Sequence, residues 1–262
     1  MRRFYAAPSQ FTQSKITLSL EESKHLRDVL RLRAGDEAAV FDGEGKEYGC
    51  RIEKTGRGKE PAELTVTGEL EPPAPEPKLD LTLAIALLKG EKFELVIQKA
   101  TELGVNRIIP LQTLRSDVKI KKTAGAAKND EAVKKIERWR RVALEAVKQC
   151  GRARIPEIAA PMEFSEFISG IRGLTGVKSD HSPALFFSER GGEGLNNLEI
   201  PDSEKDKITA IIGPEGGWDD SEIQLANTAG ARIITLGGRI LRAETAGIVA
   251  AALLQNLYGD LS

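Results

Sequence analysis

Residues 71–77 read Glu71-Pro72-Pro73-Ala74-Pro75-Glu76-Pro77, with four prolines in six positions. Each proline removes a backbone donor and fixes φ, so neither a helix nor a central strand can run through the segment. It reads as a short, semi-rigid linker. The chain is thereby divided into parts of roughly 70 and 185 residues, each of ordinary domain size. The expected domains are residues 1–72 and 78–262.

The first part patterns as β structure. Residues 16–18, 37–41, 48–52 and 63–67 are short strand-like runs, separated by turns such as Asp42-Gly43-Glu44-Gly45. One helix is expected over residues 20–30, with Leu26, Val29 and Leu30 on its apolar side. Small barrels of this kind often bind nucleic acid. The second part alternates. Residues 81–88 form a continuous apolar run, as a strand buried on both faces requires. Residues 91–103 follow as an amphipathic helix with Phe93, Val96, Ile97 and Ala100 on one side. Strands are expected at 107–111, 184–187, 208–212 and 232–236, and helices at 131–150 and 244–258. The polar, Ala/Gly-rich residues 119–130 read as a mobile loop. This βαβ order predicts an α/β fold with a mainly parallel sheet covered by helices.

Composition narrows the class. Hydrophobic residues make up 40% and charged residues 29%, which suits a packed core under a charged surface. No apolar run reaches the roughly 18 residues of a membrane span. The basic start Met1-Arg2-Arg3 is not followed by a signal-peptide core. Cys50 and Cys150 stand alone, as do His25 and His181, so neither a disulfide framework nor a metal site is expected. A cytoplasmic setting fits. Residues 115–154 hold thirteen Lys/Arg against five Asp/Glu, whereas the first seventy residues hold twelve of each sign. Such a basic stretch serves equally as a nucleic-acid footprint or a solvated helix face.

In open parallel sheets ligands bind at the carboxyl ends of strands, and three segments there stand out. Gly213-Pro214-Glu215-Gly216-Gly217-Trp218 ends one strand, and Asp219 or Ser221 can cap the helix that follows. It is neither a P-loop nor Gly-x-Gly-x-x-Gly. Leu236-Gly237-Gly238-Arg239-Ile240-Leu241-Arg242 ends another, and its backbone groups can hold an adenine edge. The next helix carries Ala246, Gly247, Ala250 and Ala251, small residues that suit a tight internal contact or a subunit interface. Ser188-Glu189-Arg190-Gly191-Gly192 ends a third strand and by itself reads as a surface turn.

These motifs, continued by Ala243-Glu244-Thr245-Ala246, resemble the SPOUT class of methyltransferases, and more narrowly the RsmE family of 16S ribosomal RNA uridine N3-methyltransferases. Arg3-Phe4-Tyr5, residues 25–36, residues 92–105 and residues 145–152 are similar to that family too. Ala243 departs from the more usual Thr and Trp218 from the common Phe. The resemblance implies a small N-terminal PUA-like β-barrel and a C-terminal trefoil-knot domain with a mainly parallel sheet. It implies a homodimer with the active site near its interface, S-adenosylmethionine as cofactor, and ribosomal RNA of the small ribosomal subunit as substrate.

On that basis Gly213, Gly216, Gly217, Leu236, Gly237, Ile240, Leu241 and Arg242 are expected to hold the cofactor. Uridine N3 is protonated at neutral pH, so its methylation needs a base or stabilisation of the uracil anion. Arg242 or Arg190 can stabilise the charge, and Glu215 or Glu244 can accept the proton. Arg242 serves equally as a structural contact and Glu244 as a helix N-terminal charge. Expected RNA contacts are Arg2, Arg3, His25, Arg27 and Arg31 in the first domain, with Lys89, Lys92, Lys99, Arg115 and Arg152 in the second. Two other readings compete: a SPOUT enzyme acting on another RNA, and a non-catalytic RNA-binding assembly factor. A nicotinamide-dependent oxidoreductase lacks its glycine signature here.

Overall fold

A computed structural model describes residues 1–118, 130–171 and 182–261. The residue 119–129 stretch and His181 lie outside the described residues. The chain forms two compact units, Met1–Glu76 with Leu144–Ile155, and Pro77–Ala143 with Pro156–Ser262.

The first unit contains β1 (Arg3–Tyr5), β2 (Phe11–Thr12), β3 (Lys15–Thr17), α1 (Leu20–Lys24), β4 (Glu37–Phe41), β5 (Glu47–Lys54) and β6 (Glu63–Leu70). They build one six-stranded sheet in the order β1-β4-β5-β6-β3-β2. β1 runs parallel to β4, and the remaining pairs are antiparallel. Phe4, Ile16, Leu26, Val40, Ile52 and Leu64 fill its core. Ser19 caps α1 by accepting from the Glu22 N–H at 3.1 Å. A π-helical turn, His25–Val29, follows at once. Its wider ring buries Leu26 completely but turns Val29 out to 63% exposure, so Val29 leaves the apolar side expected from spacing.

The second unit holds β7 (Asp80–Ala86), α2 (Lys92–Glu102) and β8 (Arg107–Gln112). The helix α3 (Asp130–Cys150) begins there and ends in the first unit. β9 (Glu157–Ile158), β10 (Met162–Glu163), α4 (Phe164–Ile171), β11 (Ala184–Phe187), β12 (Glu193–Gly194), β13 (Lys207–Ile212), α5 (Asp220–Thr228), β14 (Arg232–Thr235) and α6 (Ala243–Tyr258) complete it. The sheet order is β10-β8-β7-β13-β11-β14-β12, with β9 beside β8. Every pairing in it is parallel. Phe93, Val96, Ile97 and Ala100 turn α2 inward as its periodicity requires. On α6, Gly247, Ala250 and Ala251 are buried, and a Cβ on Gly247 would stand 2.9 Å from Ile85 of β7. The small-residue face is therefore an internal packing surface.

Residues 144–155 belong to the first unit, which a division at the prolines alone does not anticipate. Two arginines hold them. Arg3 donates to Glu47 at 2.8 Å and to the carbonyls of Lys148 at 3.3 Å and Arg152 at 2.9 Å. A cation there also suits the C-terminal end of α3. Arg152, only 3% exposed, donates to Glu76 at 2.7 Å. The other Glu76 oxygen accepts from the N–H groups of Ala153 and Arg154 at 3.2 and 2.9 Å. Arg3 and Arg152, both among the expected RNA contacts, are engaged within the unit.

No helix among the described residues is long and apolar enough to cross a membrane. Replacing Glu76 by Ala removes a carboxylate partner from the buried Arg152 guanidinium, at a cost of about 3 kcal/mol. The thermal transition, followed by circular dichroism, falls by on the order of 10 °C.

Candidate functional site

β13, β11 and β14 are neighbours and all parallel, so their carboxyl ends lie on one edge of the sheet. The three turns singled out by sequence therefore converge. They enclose a cavity of about 460 Å³, lined by Phe187–Glu189, Ile212–Trp218, Ile234–Gly237, Arg239–Ala243 and Ala246, together with Lys92. This lies in the usual range for a small-ligand site.

Trp218 anchors the first turn. It is 1% exposed, its ring centroid lies 4.3 Å from Phe186 and 5.0 Å from Phe164, and its Nε1 donates to the Phe187 carbonyl at 2.9 Å. Gly213 faces that ring, and a Cβ there would stand 2.7 Å from Nε1. Gly217 turns the chain at φ +70°, a left-handed conformation that favours glycine. Asp219 then caps α5 through the Ser221 N–H at 3.1 Å. Glu222 completes the capping box and also accepts from the Leu114 N–H at 2.9 Å. The bonds from Ser221, supported by Arg115, hold the Asp219 carboxyl below the ordinary carboxylate range. The third-strand turn is tied in by the Ser188 N–H, which donates to the Ile234 carbonyl at 2.9 Å.

The cofactor residues expected from sequence, Gly213, Gly216, Gly217, Leu236, Gly237, Ile240, Leu241 and Arg242, all line this cavity. Ile240 stands 86% exposed at its edge. Arg242 is the N-cap residue of α6 and is exposed. Of the expected proton acceptors, Glu215 lines the cavity, whereas Glu244 lies beneath, 8% exposed, with Oε2 lacking a hydrogen-bond partner. Arg190 is not in the lining. Its guanidinium braces the turn by donating to Asp220 at 2.5 Å and to the Trp218 carbonyl.

The expected RNA contacts separate in the same way. Arg2, His25 and Arg31 are exposed, and Arg31 sits at φ +54° after the π turn. Arg27 pairs with Asp28 at 2.8 Å, Lys89 with Asp117 at 2.9 Å, Lys99 with Glu102 at 2.9 Å and Arg115 with Asp219 at 3.1 Å. Lys92 belongs to the cavity, where it meets Glu215 and lies 4.0 Å from Glu244. Sequence reasoning also passed over Arg239 and Phe187 as lining residues. Arg239 was signalled only by its place inside an already marked glycine turn.

A family model described as an RNA methyltransferase domain matches residues 75–255. One described as an RNA methyltransferase PUA domain matches residues 19–63. Fold and site together thus define an RNA methyltransferase with a PUA domain. The ribosomal RNA small subunit methyltransferase E of Synechocystis sp. is 36% identical over 260 residues, covering 97% of this chain and 77% of that one. That of Rickettsia conorii is 31% identical, covering 97% and 95%. The crystal structure of the Neisseria gonorrhoeae enzyme bound to S-adenosyl methionine superposes with a TM-score of 0.83 at 30% identity, covering 100% of both chains. A methyltransferase from Legionella pneumophila in complex with the same cofactor gives 0.81 at 32%, covering 99% of this chain and 98% of that one. The chain belongs to the ribosomal RNA small subunit methyltransferase E family.

Gly213→Ala forces a methyl into the buried indole, at an overpacking cost of about 1–3 kcal/mol. The thermal transition falls and tryptophan emission shifts to the red. Gly238→Ala has an ordinary φ and open space around the added methyl, and leaves both unchanged.

Proposed function

We propose that this protein transfers a methyl group from S-adenosylmethionine to N3 of a uridine in 16S ribosomal RNA of the small ribosomal subunit. The convergence of the three turns on one cavity carries the reading. Family membership and the cofactor-bound relatives support it.

The residues present fit the cofactor. Gly213 lets the buried Trp218 ring pack against the turn, and Gly237 and Gly238 leave backbone amides and carbonyls unobstructed between Leu236 and Leu241. Phe187, Ile212, Ile234 and Leu236 supply apolar walls. When bound, the cofactor supplies a methyl group activated by a sulfonium. The chain's own task is to hold the target base in line, exclude water and take up the N3 proton. Arg242 and Arg239 stand over the cavity to balance charge developing on the uracil oxygens. Glu215, in the lining, is our candidate to receive that proton.

The target N3 is hidden in a paired duplex, so the uridine must be unpaired or flipped out. We further propose a homodimer, for which Leu253 and Leu257 on the outer side of α6, 38% and 46% exposed, offer apolar surface. The exposed Arg2, His25 and Arg31 supply an RNA contact in the PUA domain. The site of action is the cytoplasm, where ribosomal subunits are assembled.

Labelled S-adenosylmethionine is incubated with small subunits lacking uridine N3 methylation, alongside free ribosomal RNA and transfer RNA. Nucleoside mass spectrometry is expected to find N3-methyluridine in the small-subunit RNA alone. Product in transfer RNA overturns the substrate, and absent cofactor binding overturns the enzyme. Arg242→Ala is expected to cut transfer at least tenfold while leaving the thermal transition in place.

A further inference from the structure

Lys92 is the first residue of α2. A helix N-terminus carries partial positive charge, so a cation there works against the dipole. Helix stability gives no reason for it. Two carboxylates from other elements hold it: Glu215 in the turn after β13, in direct contact, and Glu244 in the first turn of α6, at 4.0 Å. The Lys92 and Glu215 side chains are 39% and 25% exposed and both line the cavity, so a ligand can reach the pair. Glu244 is buried, and its Oε2 has no partner. Such a buried, unsatisfied acceptor costs about 1–3 kcal/mol, which a carboxylate serving stability alone avoids by pairing.

We propose that Lys92 and Glu215 read the O4/N3 edge of the target base, an inference that rests on the uridine methyltransferase reading above. An ammonium only donates and a carboxylate only accepts. Uracil offers an acceptor at O4 beside a donor at N3–H, which matches the pair. Cytosine offers the reverse, an amino donor at N4 beside a bare N3 acceptor, and sets donor against donor and acceptor against acceptor. A site built to hydrogen-bond one base edge disfavours a base that leaves those groups facing like partners.

The same contact performs the proton step. The N3–H bond breaks, an O–H bond forms on Glu215, and the electron pair stays on the ring, shared among N3, O2 and O4. Lys92 remains against the oxygen where that charge gathers. One negative charge leaves Glu215 as one appears on the base, so the net charge of the cluster is unchanged. Glu244 is then the remaining carboxylate for the ammonium, with an oxygen to spare. Lys92 and Glu215 are thus catalytic residues, and Glu244 is a positioning residue.

The first test is binding of uridine and cytidine 5′-monophosphates to the full chain with S-adenosylhomocysteine present, read by saturation-transfer NMR. The wild type is expected to prefer uridine monophosphate. Lys92→Met and Glu215→Gln abolish that preference, while calorimetric affinity for S-adenosylhomocysteine stays within about twofold. In methyl transfer, Lys92→Met lowers kcat by at least about 100-fold at unchanged KM, a loss typical of removed proton-transfer machinery. The Glu215→Gln defect shrinks as pH rises and N3 ionises in solution. It shrinks also on RNA carrying 5-fluorouridine, whose N3–H is more acidic. An unchanged uridine preference in both variants overturns the proposal. So does a Lys92→Met protein that loses thermal stability and cofactor affinity together and is fully restored by Lys92→Arg, the behaviour of a mere brace. A wild type that prefers uridine monophosphate but methylates no ribosomal RNA overturns the substrate reading and leaves this one standing. Transfer without any nucleobase preference overturns this one alone.

Discussion

The parallel pairing of β11 with both β13 and β14 is the constraint on which the site depends. Parallel neighbours share direction, so three turns that are distant in sequence leave the sheet on the same edge. Register does the rest. Phe187 is level with Ile212 on one side and Ile234 on the other, and the strands therefore end together. Trp218 locks that arrangement by bonding to the Phe187 carbonyl across the gap between two of the turns. The glycine at 213 is the counterpart of that ring, since any side chain there meets the indole. Fold and cavity are one packing solution.

Charge is distributed by a different logic. Part of the basic excess of residues 115–154 is engaged by internal partners: Arg115 by Asp219, Arg138 by Glu94, Lys148 by Glu22 and Arg152 by Glu76. The buried pairs tie segments together, as Arg152 and Glu76 do for the end of α3. Exposed pairs such as Lys89 with Asp117 contribute little to stability in water.

Much of this was legible in sequence where one residue type answers one physical demand. β7 and β13 are buried on both faces over their carboxyl halves, so residues 83–86 and 210–212 appear as apolar runs. α2 and α6 carry helical periodicity over eleven and sixteen residues. β9, β10 and β12 have two residues each, too few for a period, and exist because a neighbouring strand offers bonding groups. α4 follows at once from β10, and its eight residues left only Phe164, Phe167 and Ile168 as a pattern. The glycine turns were visible because close approach to a backbone or ring restricts the residue choice. The internal bonds of Arg3 and Arg152 were not legible for the opposite reason: a guanidinium in a buried pair has the same letter as one on the surface.

Lys92 marks where sequence reading stops. Its partner Glu215 lies 123 positions away, and no local pattern connects them. They meet only because α2 follows β7, and β13 ends beside it in the sheet. A lysine at that position reads as one more surface cation until the sheet order is known. Much of the cavity wall is backbone and apolar carbon, and its charged members are Lys92, Glu189, Glu215, Arg239 and Arg242. At one corner stands Lys92, a cation that the helix dipole disfavours and two carboxylates retain.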